Sequence, residues 1–162
     1  MSFSDLLDAN REYASHFHPP GMTGVAQAGI AIVTCMDSRI EPLSIVGLRC
    51  GDAKILRSPG GRVAPWTMTG LALAVQLLEV NRIMIIPHTR CAMTGTDEEL
   101  HRRIQEHSGL DASWLELGAS RDQLPRLRHD VKAVLAHPLI VGRAKVGGFL
   151  YDVDTGLLRQ VV

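Results

Sequence analysis

The stretch Gly29-Ile30-Ala31-Ile32-Val33-Thr34-Cys35-Met36-Asp37-Ser38-Arg39 decides the fold. Its first six residues are an apolar, β-branched run too short for a helix, which predicts a buried strand. The chain then changes character at once, placing a thiol, a carboxylate and a guanidinium where the strand ends. Further on the same pattern recurs: Arg82–Ile86 reads as a strand and is followed by Pro87-His88-Thr89-Arg90-Cys91. Between these segments, Glu41–Leu48 reads as a helix ended near Gly51, and Ala53–Arg57 as a second strand. Pro65 opens a helix running to Val80. Trp66, Met68, Leu71, Leu73, Val75, Leu77 and Leu78 make that helix apolar nearly all round, so it requires burial on several sides, by its own domain or by another subunit.

Outward from this centre, Thr96–His107 reads as a helix with Thr96 and Glu99 as a capping box. Asp122–Ala136 carries Leu124, Leu127, Val131, Val134 and Leu135 on one stripe. Lys145–Val153 reads as a last strand, followed by the turn signal Asp154-Thr155-Gly156. Upstream, Ser4–Ser15 reads as a short helix with Ser4 as its N-cap. Strands alternating with helices predict an α/β fold with a mostly parallel sheet, right-handed crossovers and flanking helices. The expected strand order is about 2-1-3-4 plus a C-terminal edge strand, with residues 1–20 as an N-terminal helical arm. In that order the first and third strands are neighbours, and the chain leaves them in opposite directions. Such a switch point is where α/β sheets hold ligands. Cys35 and His88, each just past a strand end, converge there on one crevice.

The 162 residues predict a single domain, 1–162, long enough to bury a core without staples. Lys+Arg and Asp+Glu both number 17, so nothing electrostatic points to nucleic acid or an anionic membrane. No apolar run reaches the length of a membrane span, and Ser4–Phe17 lacks the apolar centre of a signal peptide. An odd count of three cysteines argues against a disulfide framework and fits a reducing cytoplasm. There is no P-loop, Gly-x-Gly-x-x-Gly, Gly-x-Ser-x-Gly or Cys-x-x-Cys.

Cys35, His88 and Cys91 make a Cys₂His set suited to one Zn²⁺ per subunit, with three protein ligands leaving a place for water. The plain alternative is that Cys35 and Cys91 are small buried apolar residues. Asp37 decides what such a site does. Bound permanently to the metal, it closes a structural site. Arg39, on the same side of an extended stretch, can fork onto the carboxylate, hold it off the metal and keep it ionised. Asp37 then accepts a hydrogen bond from metal-bound water and binds the metal only in a closed form. The ligand charges neutralise the ion, so its water is expected to acidify less than in a three-histidine site and turnover to rise on the alkaline side of neutrality.

Cys35-x-Asp37-x-Arg39 followed by His88-x-x-Cys91 resembles the β-class carbonic anhydrases. The resemblance extends through Gly51-Asp52-Ala53-Lys54-Ile55-Leu56-Arg57-Ser58-Pro59-Gly60-Gly61 and the ending Gly148–Leu158, as in the short bacterial members. It implies Cys35, His88 and Cys91 as zinc ligands and Asp37–Arg39 as the catalytic dyad. It implies reversible hydration of CO₂ to bicarbonate and a proton by zinc-bound hydroxide. It also implies a homodimer or dimer of dimers, the N-terminal helix embracing the partner. CS₂ or COS hydrolysis on the same scaffold, and a non-catalytic zinc protein with Asp37 locked on the metal, are the competing readings. Ala92 stands where the family usually has Gly, and Ser58-Pro59 where it often has Asn-Ala. Gly60 and Gly61 are expected to serve an unusual loop and to line the substrate crevice. Cys50 has no ligand at suitable spacing and reads as a plain thiol. His16 and His18 close the N-terminal helix, and His101, His107, His129 and His137 read as surface residues.

Overall fold

The computed structural model describes residues 2–18, 21 and 23–162, so positions 1, 19 and 20 of the expected arm lie outside the described residues. Five strands form one sheet in the order β2-β1-β3-β4-β5. They are β1 (Ile30–Cys35), β2 (Ala53–Ser58), β3 (Arg82–Ile86), β4 (Lys145–Tyr151) and β5 (Leu158–Gln160). β1 pairs in parallel with β2 and β3, and β3 pairs in parallel with β4. β5 returns antiparallel on β4, which makes the expected C-terminal edge. Every residue of β1 is buried, as a central parallel strand with both faces covered requires.

The helices are α1 (Ser4–Ser15), α2 (Pro65–Leu77), α3 (Asp97–Ser108) and α4 (Gln123–Ala136). Ala31 and Val33 of β1 join Leu71, Ala74, Ile83, Ile85, Leu127, Val131 and Val134 in a core between the sheet and helices α2 and α4. Ile30, Ile32 and Cys35 join Ile40, Ile86, Cys91 and Tyr151 in a second cluster. The metal-ligand candidates therefore grow directly out of packed core. Among the described residues no helix is long and apolar enough to cross a membrane.

Several boundaries depart from expectation for local reasons. Glu41–Leu48 is not a helix; it holds a single 3-10 turn, Ser44–Val46. Pro42 disfavours a helical Glu41, and Gly47 at φ 69° stops the turn in the left-handed region. Ser4 is not the N-cap of α1; Phe3 occupies that place with no side-chain bond to the helix. α2 stops at Leu77 rather than Val80, and Glu79 takes a left-handed φ of 60° just beyond it. Its own chain buries only one side of it, through Thr67, Leu71, Ala72 and Ala74, while Trp66, Leu73 and Leu77 stay exposed. His101 is half-buried rather than superficial, its Nε2 donating to the Leu115 carbonyl at 2.8 Å. The capping box of α3 forms as expected, Thr96 Oγ1 accepting from Glu99 N–H and Glu99 from Thr96 N–H.

Candidate metal centre

Cys35 is the last residue of β1, in register with Ser58 of β2. His88 follows β3 and bridges to Tyr151 of β4. The parallel register thus brings the ends of β1 and β3 side by side, and Cys91 arrives from the turn after His88. The donor atoms of Cys35, His88 and Cys91 lie within 4.8 Å of one another, and all three residues are buried. The two sulfurs are 3.9 Å apart. Tetrahedral Zn–S bonds place two thiolates about 3.8 Å apart, so the sulfurs already sit at the spacing an ion would impose.

His88 supports the same reading. Its Nδ1 lies 2.8 Å from the Thr89 carbonyl, which can only accept, so Nδ1 carries the proton and Nε2 presents its lone pair. That Nε2 is buried without a hydrogen-bond partner. An orphaned buried acceptor facing two thiols is costly in an apolar core and is what a metal would satisfy. The thiols cannot both ionise unaided. The hydrogen bond shared with Cys91 draws the Cys35 thiol down against the effect of burial. The same bond, together with burial, pushes Cys91 well above its ordinary range. Two thiolates this close repel each other, so a cation between them would favour both charges. Burial pulls the His88 imidazole down, but the Cys35 sulfur, the Thr89 carbonyl and the Asp37 carboxylate together turn the net direction up.

Asp37 is not a member of that cluster, although its Oδ2 is 3.7 Å from His88 Nε2. Arg39 forks onto it, Nε to Oδ1 at 2.9 Å and Nη2 to Oδ2 at 2.7 Å, and the Arg39 backbone N–H adds a third bond to Oδ1 at 2.9 Å. These bonds hold the Asp37 carboxyl well below the usual carboxylate range. The pair borders a crevice of about 390 Å³ whose other walls include Cys35, Cys91, Pro59, Ala92 and Met93.

Gly60 and Gly61 lie against the site but wall a separate small cavity of about 20 Å³, shared with Met93; of their loop, Pro59 borders the crevice itself. Gly61, at φ 68°, is packed so closely that a Cβ would meet the Ile86 carbonyl at 3.1 Å and the Cys35 nitrogen at 3.2 Å. Ala92 carries no left-handed strain; among the described residues only Glu79 and Arg90 are non-glycine residues with positive φ. Cys50 is exposed and away from the cluster.

Sequence reasoning passed over three supports. Arg57 reaches from β2 to donate to the Asp37 carbonyl at 3.2 Å and the Ile40 carbonyl at 2.5 Å, strapping down the loop that carries the dyad. Asp130 of α4 accepts from Arg62 Nε at 2.6 Å, Arg62 Nη2 at 2.8 Å and Val63 N–H at 3.1 Å, anchoring the far end of the glycine loop. A carboxylate beside Leu127 and Val131 on the apolar stripe of α4 was its visible signal. Met93 N–H donates to Cys91 Sγ at 3.5 Å, a backbone contact that no side-chain pattern announces.

The family model described as carbonic anhydrase matches residues 30–130. Beta-carbonic anhydrase 1 of Mycobacterium tuberculosis is 32% identical over 158 residues, covering 97% of this chain and 96% of that protein. The crystal structure of a carbonic anhydrase from Streptococcus mutans superposes with a TM-score of 0.90 at 32% identity, covering 100% of this chain and 99% of that one. A carbon disulfide hydrolase of Acidithiobacillus thiooxidans is 26% identical over 148 residues, covering 79% of this chain and 74% of that protein. Family match, near full-length identity and shared fold agree: the chain belongs to the β-class carbonic anhydrases.

Proposed function

We propose that Cys35, His88 and Cys91 hold one Zn²⁺ per subunit and that the protein uses it to hydrate CO₂ reversibly to bicarbonate and a proton. The observation that carries this reading is the three-bond hold of Arg39 on Asp37, beside a cluster that among the described residues comprises Cys35, His88 and Cys91 alone. When bound, zinc supplies a Lewis acid that lowers the pKa of a water in its open position. The chain's own residues do the rest. Asp37, kept ionised by Arg39, would accept a hydrogen bond from the reacting water and fix its orientation. Arg39 keeps that carboxylate from taking the open position itself. The Thr89 carbonyl fixes the His88 ring so that Nε2 faces the sulfurs. Met36, Pro59, Ala92 and Met93 give the crevice the apolar lining that a small uncharged substrate requires.

CS₂ hydrolysis is the second reading, favoured by the similarity to a carbon disulfide hydrolase. The two substrates ask for the same activated water and differ in the width of the approach. A locked, non-catalytic zinc site fits less well, because Asp37 is committed to Arg39. The exposed apolar residues of α1 and α2 support a homodimer or dimer of dimers in which α1 covers a partner. The decisive measurement is stopped-flow CO₂ hydration on zinc-quantified protein, with CS₂ hydrolysis and the Asp37→Asn variant alongside. Near-stoichiometric zinc, rapid CO₂ turnover and a loss of about a hundredfold or more in the variant are expected. Wild-type turnover in Asp37→Asn would sink the role of the dyad; CS₂ turnover without CO₂ turnover would move the protein to the second reading.

A further inference from the structure

We infer that Arg90 is a positioning residue for the Asp37–Arg39 pair, held in place from the β4–β5 turn by Asp154; the inference rests on the catalytic reading above. Arg90 sits between His88 and Cys91 with φ 54°. An L-residue with a long side chain takes that conformation only when its surroundings impose it. Glu79, which shares it, lies just past a helix end, where a left-handed residue is an ordinary terminator. Arg90 terminates no helix. Its backbone does something else: the Arg90 carbonyl accepts from Arg39 Nη2 at 3.2 Å.

That bond changes what Arg39 can do. Nη2 already donates to Asp37 Oδ2 at 2.7 Å. The Arg39 backbone N–H holds Asp37 Oδ1 as well, but both of those anchors belong to the same loop and can shift with it. Tied also to a carbonyl of the opposite loop, the guanidinium fixes the carboxylate in space. Asp37 Oδ2 already lies 3.7 Å from His88 Nε2, so weakening the anchor to the Arg90 carbonyl would leave the carboxylate freer to move toward the Cys35–His88–Cys91 cluster.

The turn between β4 and β5 grips this loop at several points. The Arg90 guanidinium pairs with Asp154 at 2.5 Å. Val153 N–H donates to Thr89 Oγ1 at 3.1 Å, and Thr89 N–H to the Tyr151 carbonyl at 2.9 Å. The turn is itself ordered by Asp152, which accepts from Asp154 N–H at 2.9 Å and Thr155 N–H at 3.2 Å. A line of contacts thus runs from the hairpin turn through Asp154, Arg90 and Arg39 to Asp37, and it sets how firmly the open metal position is kept clear.

The test compares Arg90→Gly, Arg90→Val and Asp154→Asn in the full chain. Gly and Val both delete the guanidinium, but Gly accepts the left-handed backbone and Val resists it. Cyanate is titrated onto the cobalt-substituted proteins and followed by visible absorption, with kcat and KM for CO₂ measured on the zinc forms. Arg90→Val should bind cyanate about tenfold more weakly and lose kcat by a similar factor at unchanged KM, the factor a left-handed backbone penalty corresponds to. Arg90→Gly and Asp154→Asn should each lose about threefold, as expected of an exposed ion pair, and combining those two should cost no more than Arg90→Gly alone. Equal losses in Gly and Val, cyanate affinity unchanged throughout, or additive losses in the double variant would overturn the inference. If Arg90→Val does not fold, the pair Arg90→Gly and Asp154→Asn still decides it through their non-additivity. A wild type that takes up metal yet neither binds cyanate nor hydrates CO₂ overturns the functional reading and this inference with it; an active wild type with indifferent variants overturns this inference alone.

Discussion

The carboxyl end of the sheet and the N-terminal helix are opposites. At the sheet end, Cys35, His88 and Cys91 are buried, and Asp37, Arg39, Arg57 and Asp130 are all hydrogen-bonded within the chain. α1 buries none of its residues, and Phe3, Leu6, Leu7, Tyr13 and Phe17 around it face outward. One region is bonded throughout its own chain, with His88 Nε2 left unpaired beside the sulfurs; the other makes only contacts within itself and its flanks. An isolated amphipathic helix of 12 residues is marginal in water. The contrast teaches that the two ends are built for different things: the sheet end gathers buried donor atoms in one place, and α1 presents apolar side chains outward.

The largest expected effect breaks the first half of the contrast. Cys91→Ser should lower metal affinity by at least about a hundredfold and abolish turnover, while leaving the sedimentation coefficient unchanged; metal analysis after dialysis reads the first. Next, Asp130→Asn leaves Arg62 without its buried charge partner and should destabilise the protein by about 3 kcal/mol, seen as a lower urea midpoint. Thr96→Ala, which removes the cap of α3, should cost about 1 kcal/mol in the same assay.

Acid titration sharpens the comparison further. Arg39 holds the folded carboxyl of Asp37 below its ordinary range, and the Ala119 and Gly118 N–H groups do the same for Asp97. A depressed folded value adds stability that is present above the unfolded carboxyl pKa of about 4 and lost as pH falls through the folded one. The urea midpoint of metal-free protein should therefore fall below about pH 4, and less steeply in Asp37→Asn. The smallest effect belongs to α1. Deleting residues 1–17 should reduce the oligomer in sedimentation yet change the stability of the remaining monomer by under about 0.5 kcal/mol, because this chain buries none of that helix.

The sheet was legible because its signals are local. A short β-branched run opened by Gly29 names β1, and Cys35 and His88 stand at strand ends whose adjacency topology supplies. The cluster needed only that adjacency. The Asp37–Arg39 fork was legible too, being separated by two residues. What escaped was set elsewhere. Arg62 meets Asp130 across 68 residues, and Arg39 meets the Arg90 carbonyl across 51; no periodicity encodes such pairs. The misread helix at Glu41–Leu48 shows the opposite failure, an apolar run whose Pro42 and Gly47 carried more weight than its hydrophobic residues.

Cys35 and Cys91 are separated by 56 residues along the chain. An ion gripping both sulfurs acts as a reversible cross-link over that span, and by the entropy of closing such a loop it disfavours the disordered chain by about 4 kcal/mol. The link ties β1 to the turn after β3, the two strands whose pairing fixes the sheet order. On the proposed zinc reading, metal supply would govern how long the protein survives as well as how fast it works, with a melting temperature that climbs with free metal concentration.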